Sequence, residues 1–189
     1  MKKIILNILM LALIATNSLT AIAQNTTKTV KNSKLIWKGY KVTGSHEGII
    51  NLASGAVVMN GTKLKGGTFT IDMTSLESTD LDGEMKGKLD GHLKADDFFG
   101  VEKFPTAKLE IKKIKSTGNG TYMLTADLTI KGITQTIKFP TTVKTNKASA
   151  KLKIDRTKFN IKYGSSSFFE NLQDKAISNE FDLAINFDF

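Results

Sequence analysis

His46 and His92 are the only histidines in this 189-residue chain, and cysteine is absent. A metal site would have to use both imidazoles together with carboxylates such as Glu47 or Asp96. Histidines so far apart in sequence lack the close ligand spacing that marks such sites. Asp96-Asp97 and the Asp80, Asp82 and Glu84 group could supply an acid and a base. Adjacent carboxylates on an exposed loop, however, ordinarily cap a helix or sit in solvent. Ser165-Ser166-Ser167 offers hydroxyls without the histidine and acid of a hydrolase, and no glycine-rich nucleotide signature opens a helix. These residues predict a non-enzyme with no catalytic residue, no metal and no cofactor.

Charge narrows the partners. Lysine and arginine number 27 against 18 acidic residues, a formal net charge of +9. Arg156 is the only arginine. Nucleic-acid readers depend on arginine for bidentate contacts, and these lysines are spread singly among Thr, Asp and Glu, as on a solvated strand exterior. Nucleic acid is not expected as a partner. The charge allows a weak, transient contact with an anionic membrane surface, besides solubility.

The elements that must position these residues are strands. Phe69, Ile71 and Met73 alternate with Thr68, Thr70, Asp72 and Thr74, the period of a half-buried strand. Ala107, Leu109 and Ile111 do the same, followed by a Thr117–Gly120 turn and then Tyr122, Leu124, Ala126, Leu128 and Ile130. Ile133, Ile137 and Phe139 follow Lys131-Gly132, Ala148 to Ile154 follow a turn at Lys144–Lys147, and Phe181 to Phe189 close the chain. Leu35 to Val42 holds Trp37 and Tyr40. Turns are expected at Ser54-Gly55, Asn60-Gly61 and Gly66-Gly67. About eight strands result, one face apolar, which suits a sandwich or a barrel.

Two stretches break the alternation. Between Leu81 and Phe104, the spacing of Met85, Leu89, His92 and Leu93 behind acidic residues predicts a short amphipathic helix. Phe98-Phe99 and Phe104 follow it. Tyr163 to Leu172 carries the second pair, Phe168-Phe169. The two aromatic loops either plug the ends of the fold or cover a cavity.

The first residues read as a secretory signal. Met1-Lys2-Lys3 is basic, Ile4–Ile14 is apolar, and Ala21-Ile22-Ala23 is a small-x-small site; the apolar run is short for a membrane span. Residues 1–23 are expected to be a signal peptide cleaved near Ala23, residues 24–33 a flexible polar lead-in, and residues 34–189 the folded domain. The expected location is periplasmic or secreted, and without cysteine no disulfide can support the fold.

Several segments resemble the YceI-like family. They are Trp37 with Val42–Gly48, Phe69–Leu76, His92–Phe99 leading to Lys103–Ala107, Leu128–Thr134 and Arg156–Ile161, in family order over the whole of the expected domain. Ala95 and Gly100 stand where the family often has Ser and Asp. The resemblance implies an all-β, extended lipocalin-like antiparallel barrel with a short helix and aromatic loops at its ends. It implies a lumen for a polyisoprenoid or similar amphiphile, such as an isoprenoid quinone or fatty acid derivative, and a periplasmic location.

On that reading the lumen and its lid would use Trp37, Tyr40, Phe69, Ile71 and Met73, then Leu89, Leu93, Phe98, Phe99 and Phe104. Leu109, Leu124, Ala126, Leu128 and Ile154 would add to the wall, with Phe168 and Phe169 in the lid. Small Ala107, Ala126, Ala148 and Ala150 would relieve the channel. Candidates for a polar head are His92, Lys94, Arg156 and Tyr163. Burying about 20 chain carbons at ~0.8 kcal/mol each gains roughly 16 kcal/mol before ordering costs. Competing readings are a protein-interaction barrel with a filled core, and a hydrolase using the loop carboxylates. A homodimer of two barrels is also open.

Overall fold

In a computed structural model, residues 24–189 are described; the expected signal peptide lies outside them. The elements are β1 (Asn25–Thr29), β2 (Asn32–Lys41), β3 (Gly44–Asn60), β4 (Lys63–Ser78), α1 (Gly83–Lys94), β5 (Thr106–Gly118), β6 (Thr121–Ile130), β7 (Ile133–Lys144), β8 (Lys147–Asp155) and β9 (Ile177–Asp188). Sheet order runs β3-β2-β9-β8-β7-β6-β5-β4, and β4 pairs back onto β3. Eight antiparallel strands therefore close into a barrel, and closure removes the exposed edges that a sandwich would keep.

The strand that reads as a lead-in is part of this wall. Asn25–Thr29 pair with Asn60–Ala56 of β3, and Leu35–Lys41 pair with Ile50–Gly44 in the same register. β1 and β2 are thus one track interrupted at Val30–Lys31, where Val30 N donates to Gly55 O and Lys31 N to Asp188 O. The polar side chains of β1 hid it, because its pairing uses only backbone.

Two expected turns are also corrected. Ser54-Gly55 lies inside the 17-residue β3 and Gly66-Gly67 inside β4. Both mark register shifts in the β3–β4 ladder, where a bulge bends a long strand around the barrel. At Gly55 a Cβ would come within 2.9 Å of both Phe69 and Val30. Glycine serves close packing there.

The two barrel ends differ. One has only two-residue links at 61–62, 119–120 and 145–146, plus the C-terminal strand end. The other carries the 42–43 and 131–132 turns, α1 with the loop after it, and the segment from the Arg156–Phe159 3-10 turn to Lys175. The mouth is built at this second end. α1 matches the expected helix, but none of its residues is fully buried and Met85 is 61% exposed. Only Leu89 and Leu93 pack on the core, so the helix grips the barrel by polar contacts instead.

One motif residue is decided by contact distance. The buried Trp37 indole donates Nε1–H to Glu77 O at 3.2 Å, passing over Gly48. A Cβ on Gly48 would lie 1.9 Å from Glu77 O and 2.6 Å from the indole. Gly48→Ala is expected to cost about 3 kcal/mol through backbone displacement. Gly39→Ala, across the same strand pair with open space around its Cα, should cost under about 1 kcal/mol. Urea unfolding of both variants checks this, and equal losses would remove Gly48 from that role.

Candidate ligand cavity and its lid

The eight strands of the closed barrel, β2 to β9, turn apolar side chains inward, yet the interior is not filled. An upper cavity of about 120 Å³ lies at the mouth end, lined among others by Trp37, Tyr40, Met73, Phe98 and Phe99. A lower cavity of about 80 Å³ is lined by Phe69, Leu109, Leu124, Phe139 and Phe187 among others. Leu35, Ile71, Leu128, Ile154 and Leu183 line both and form a waist. Each space is of the order of a dry apolar cavity that takes one benzene-sized molecule. A longer chain reaches both only if the waist side chains move apart.

Residues predicted for the lumen divide clearly. Trp37, Tyr40, Ile71, Met73, Leu93, Phe98, Phe99, Leu128 and Ile154 line the upper space, and Phe69, Leu109 and Leu124 the lower one. Ala107 borders the upper cavity and Ala148 and Ala150 the lower. Ala126 is fully buried but borders neither; it packs in the wall. Leu89 packs on the core from α1 without reaching the cavity. Phe104 lies outside the lumen against Gly100 and Gly132.

The lid is half of what was expected. Phe98 is buried and Phe99 half-buried, their rings 5.3 Å apart. Phe168 and Phe169 are about half exposed on the outer surface, with the Lys162 Nζ 4.7 Å from the Phe168 ring. What buries in that loop is Ser165, whose Oγ donates to Asn179 Oδ1 at 2.6 Å. The backbone turn at Ser165 leaves the phenylalanines facing out.

Two cations hold this irregular backbone. Lys131, in the β6–β7 turn, donates to Asp96 O at 2.6 Å and Phe98 O at 2.9 Å. Arg156 continues the inward register of β8 and is 2% exposed. Its Nε donates to Ser178 O, its two Nη groups to Ile161 O and Ile177 O, at 2.8–3.0 Å. The guanidinium also lies 5.5 Å from the Phe98 ring centroid. Burial pushes its pKa below the ordinary arginine value, with Asp155 acting against that. Arg156 borders the upper cavity.

The other head candidates lie apart from the cavity lining. His92 stacks edge-on against Tyr163 at 4.4 Å and Phe98 at 5.7 Å, with Asp97 3.6 Å away. Tyr163 is exposed. Lys94 is half-buried, and its charge acts on Asp72. His46, far from His92, pairs with Asp80 at 2.9 Å. Sequence reasoning missed Leu35, Leu183 and Phe181 as lining residues; their alternation was visible, but not which parts of each face meet open space. It also missed Thr141, a buried hydroxyl without a partner that borders the lower cavity.

A closed eight-strand antiparallel barrel with an apolar, lidded lumen defines the class of extended lipocalin-like barrels. The YceI-like domain description matches residues 23–189, and the chain belongs to that family. Among curated relatives, a UPF0312 protein of Pseudomonas savastanoi pv. phaseolicola is 35% identical over 79 residues, covering 38% of this chain and 41% of the relative. The match thus spans about two-fifths of that relative's length. BcnA of Burkholderia cenocepacia superposes with a TM-score of 0.67 at 22% identity, covering 82% of this chain and 94% of that one. A polyisoprenoid binding domain from Saccharophagus degradans gives 0.55 at 12% identity, covering 87% and 99%. At such identities these structures establish the fold.

Helix α1 is clamped to the end of β4 by a polar triad. Asp90 accepts from Ser78 N at 2.7 Å and from Lys86 Nζ at 3.0 Å, while Lys86 also donates to Ser78 O. Burial works to raise the Asp90 pKa, but the bonds from Ser78 and Lys86 outweigh it and hold the carboxyl below its ordinary value. A depressed folded pKa stabilises above the unfolded value, and that stability is lost as pH falls through the folded pKa. Asp90→Asn should cost about 1 kcal/mol at neutral pH, and its gap to the parent protein should close in acid. Urea midpoints across pH 7 to 3 check this; a pH-independent gap would show that the carboxylate charge is not involved.

Proposed function

We propose that this protein is an exported carrier or store of a single-chain lipid, a long polyisoprenoid or similar amphiphile, held in the barrel lumen. The observation that carries the reading is the waist. Two almost wholly apolar cavities, stacked inside a closed barrel, are separated only by aliphatic side chains that can change rotamer. Filling apolar space in such a lumen gains free energy without any specific hydrogen bond, and the Saccharophagus neighbour of the same fold is a polyisoprenoid binding domain. Membership of the YceI-like family and the likeness to a polyisoprenoid binding domain support a binding role over an enzymatic one. The basic, apolar and small-x-small pattern of residues 1–23 supports export.

The exposed Phe168 and Phe169 favour a second use of the same end. With Val42, Met85 and Tyr163, they place most of the exposed large apolar side chains on segments around the mouth. That suits exchange of the lipid at a membrane surface. A purely structural interaction barrel would instead have its interior filled.

Mass spectrometry of organic extracts from purified protein should find a co-purifying long-chain lipid. Protein that stays empty both as isolated and after exposure to lipid would end this reading. Leu128→Trp, at the waist, should abolish uptake of long-chain ligand for about 1–3 kcal/mol of stability. Undiminished uptake would mean that the chain does not pass between the cavities.

A further inference from the structure

We propose that Arg156 receives the carboxylate of a long-chain acid, so that the ligand lies with its charged head under the lid and its tail through the waist. This rests on the lumen being the lipid site. It goes further by fixing the head's charge, its size and the direction of the chain.

Arg156 is a cation almost wholly removed from water at the wall of an apolar cavity. A buried charge is costly unless paired; Asp155 attracts it, but among the described residues no carboxylate forms an ion pair with it. Neighbouring Asp155 spends Oδ1 on Thr157, accepting from N at 3.0 Å and from Oγ1 at 2.6 Å. Glu180 also borders the cavity, but its half-exposed carboxylate lies toward Lys153, 3.9 Å away. The partners of Arg156 are three backbone carbonyls, which are dipoles and not counter-charges.

The donor count sets the size of the head. A guanidinium carries five N–H groups. Three are used, and two remain without a protein acceptor. Two donors and one positive charge suit the two oxygens and single charge of a carboxylate. A phosphate would bring further oxygens and charge into a cavity with almost no other polar lining. Thr141, the unpartnered hydroxyl at the lower cavity, can use one hydrogen bond but asks for no counter-charge, so the charged head belongs at the Arg156 end.

Trp37 is the only tryptophan and lines the same cavity, which supplies the readout. Delipidated protein is titrated with oleic acid and with methyl oleate at neutral pH, following indole emission. The acid should bind about tenfold or more tightly than the ester. Arg156→Met should erase this preference, the acid losing about tenfold more affinity than the ester, and Arg156→Lys should keep part of it. Stearic acid brominated near the carboxyl should quench Trp37 more than acid brominated near the tail terminus. Equal affinity of acid and ester in the parent protein overturns the inference while leaving the lumen reading standing, as does a reversed quenching order. If Arg156→Met fails to fold, the comparisons on the parent protein and Arg156→Lys still decide. If neither ligand binds, the lumen reading falls and this inference with it.

Discussion

The mouth of the barrel depends on one buried guanidinium. Strands satisfy their own backbone, but the segment from the 3-10 turn to β9 is irregular, and irregular backbone packed against a core needs partners from elsewhere. Arg156 supplies them at both ends of that segment, to Ile161 where it departs and to Ile177 and Ser178 where it returns. Its contact with Phe98 couples the Phe98–Phe99 lid loop to the same group. A lysine could not replace it without loss, because three carbonyls in different directions match a rigid fork better than a point charge. Lys131 does the simpler task of holding Asp96 and Phe98, where two neighbouring carbonyls suffice.

This arrangement explains the asymmetry of the barrel. At the far end, two-residue turns such as Asn119-Gly120 have both residues at positive φ, the geometry that matches strand twist, and backbone bonds such as Val143 N to Gly120 O tie neighbouring turns and strands together. The bonds there are mostly backbone to backbone. At the mouth, long segments are held by a few polar side chains, among them Asp90, Lys86, Lys131 and Arg156. Segments tied at a few points open at lower free energy than a continuous ladder does. A closed barrel that must admit a chain has its opening where the backbone is held this way.

The sequence made the wall legible and the lid only partly so. Alternation places Phe69, Leu109, Leu124 and Leu128 on the inner face, because a period of two leaves one geometric choice. It failed at β1, whose polar side chains carry no apolar signal although the backbone pairs in full register with β3. It failed at Gly55 and Gly67 because a glycine reads alike in a turn and in a bulged strand, and the difference lies in what packs against it. The Phe168-Phe169 pair misled for a related reason: composition shows that a loop is apolar, not which way it faces. There a turn around Ser165 buries a hydroxyl bound to Asn179 and leaves both rings outside.

Arg156 itself was visible as a basic residue in the register of Leu152 and Ile154, a violation of the pattern that the strand keeps elsewhere. Such violations mark places where stability is given up for another purpose. Part of the compensation is structural, since the carbonyls of Ile161, Ile177 and Ser178 find a donor. The charge is not compensated by those carbonyls, and a neutral donor could have met them at lower desolvation cost. The residue is therefore over-specified for a staple, which is what the proposed anionic head group would account for. The waist beneath it makes the same point in apolar terms. Leu128, Ile154 and their neighbours leave two spaces where larger side chains would have left none, and a barrel of this size can be filled. A cation borders the upper space, and the lower space continues beyond the shared waist, the order of parts that the proposed single-chain acid requires.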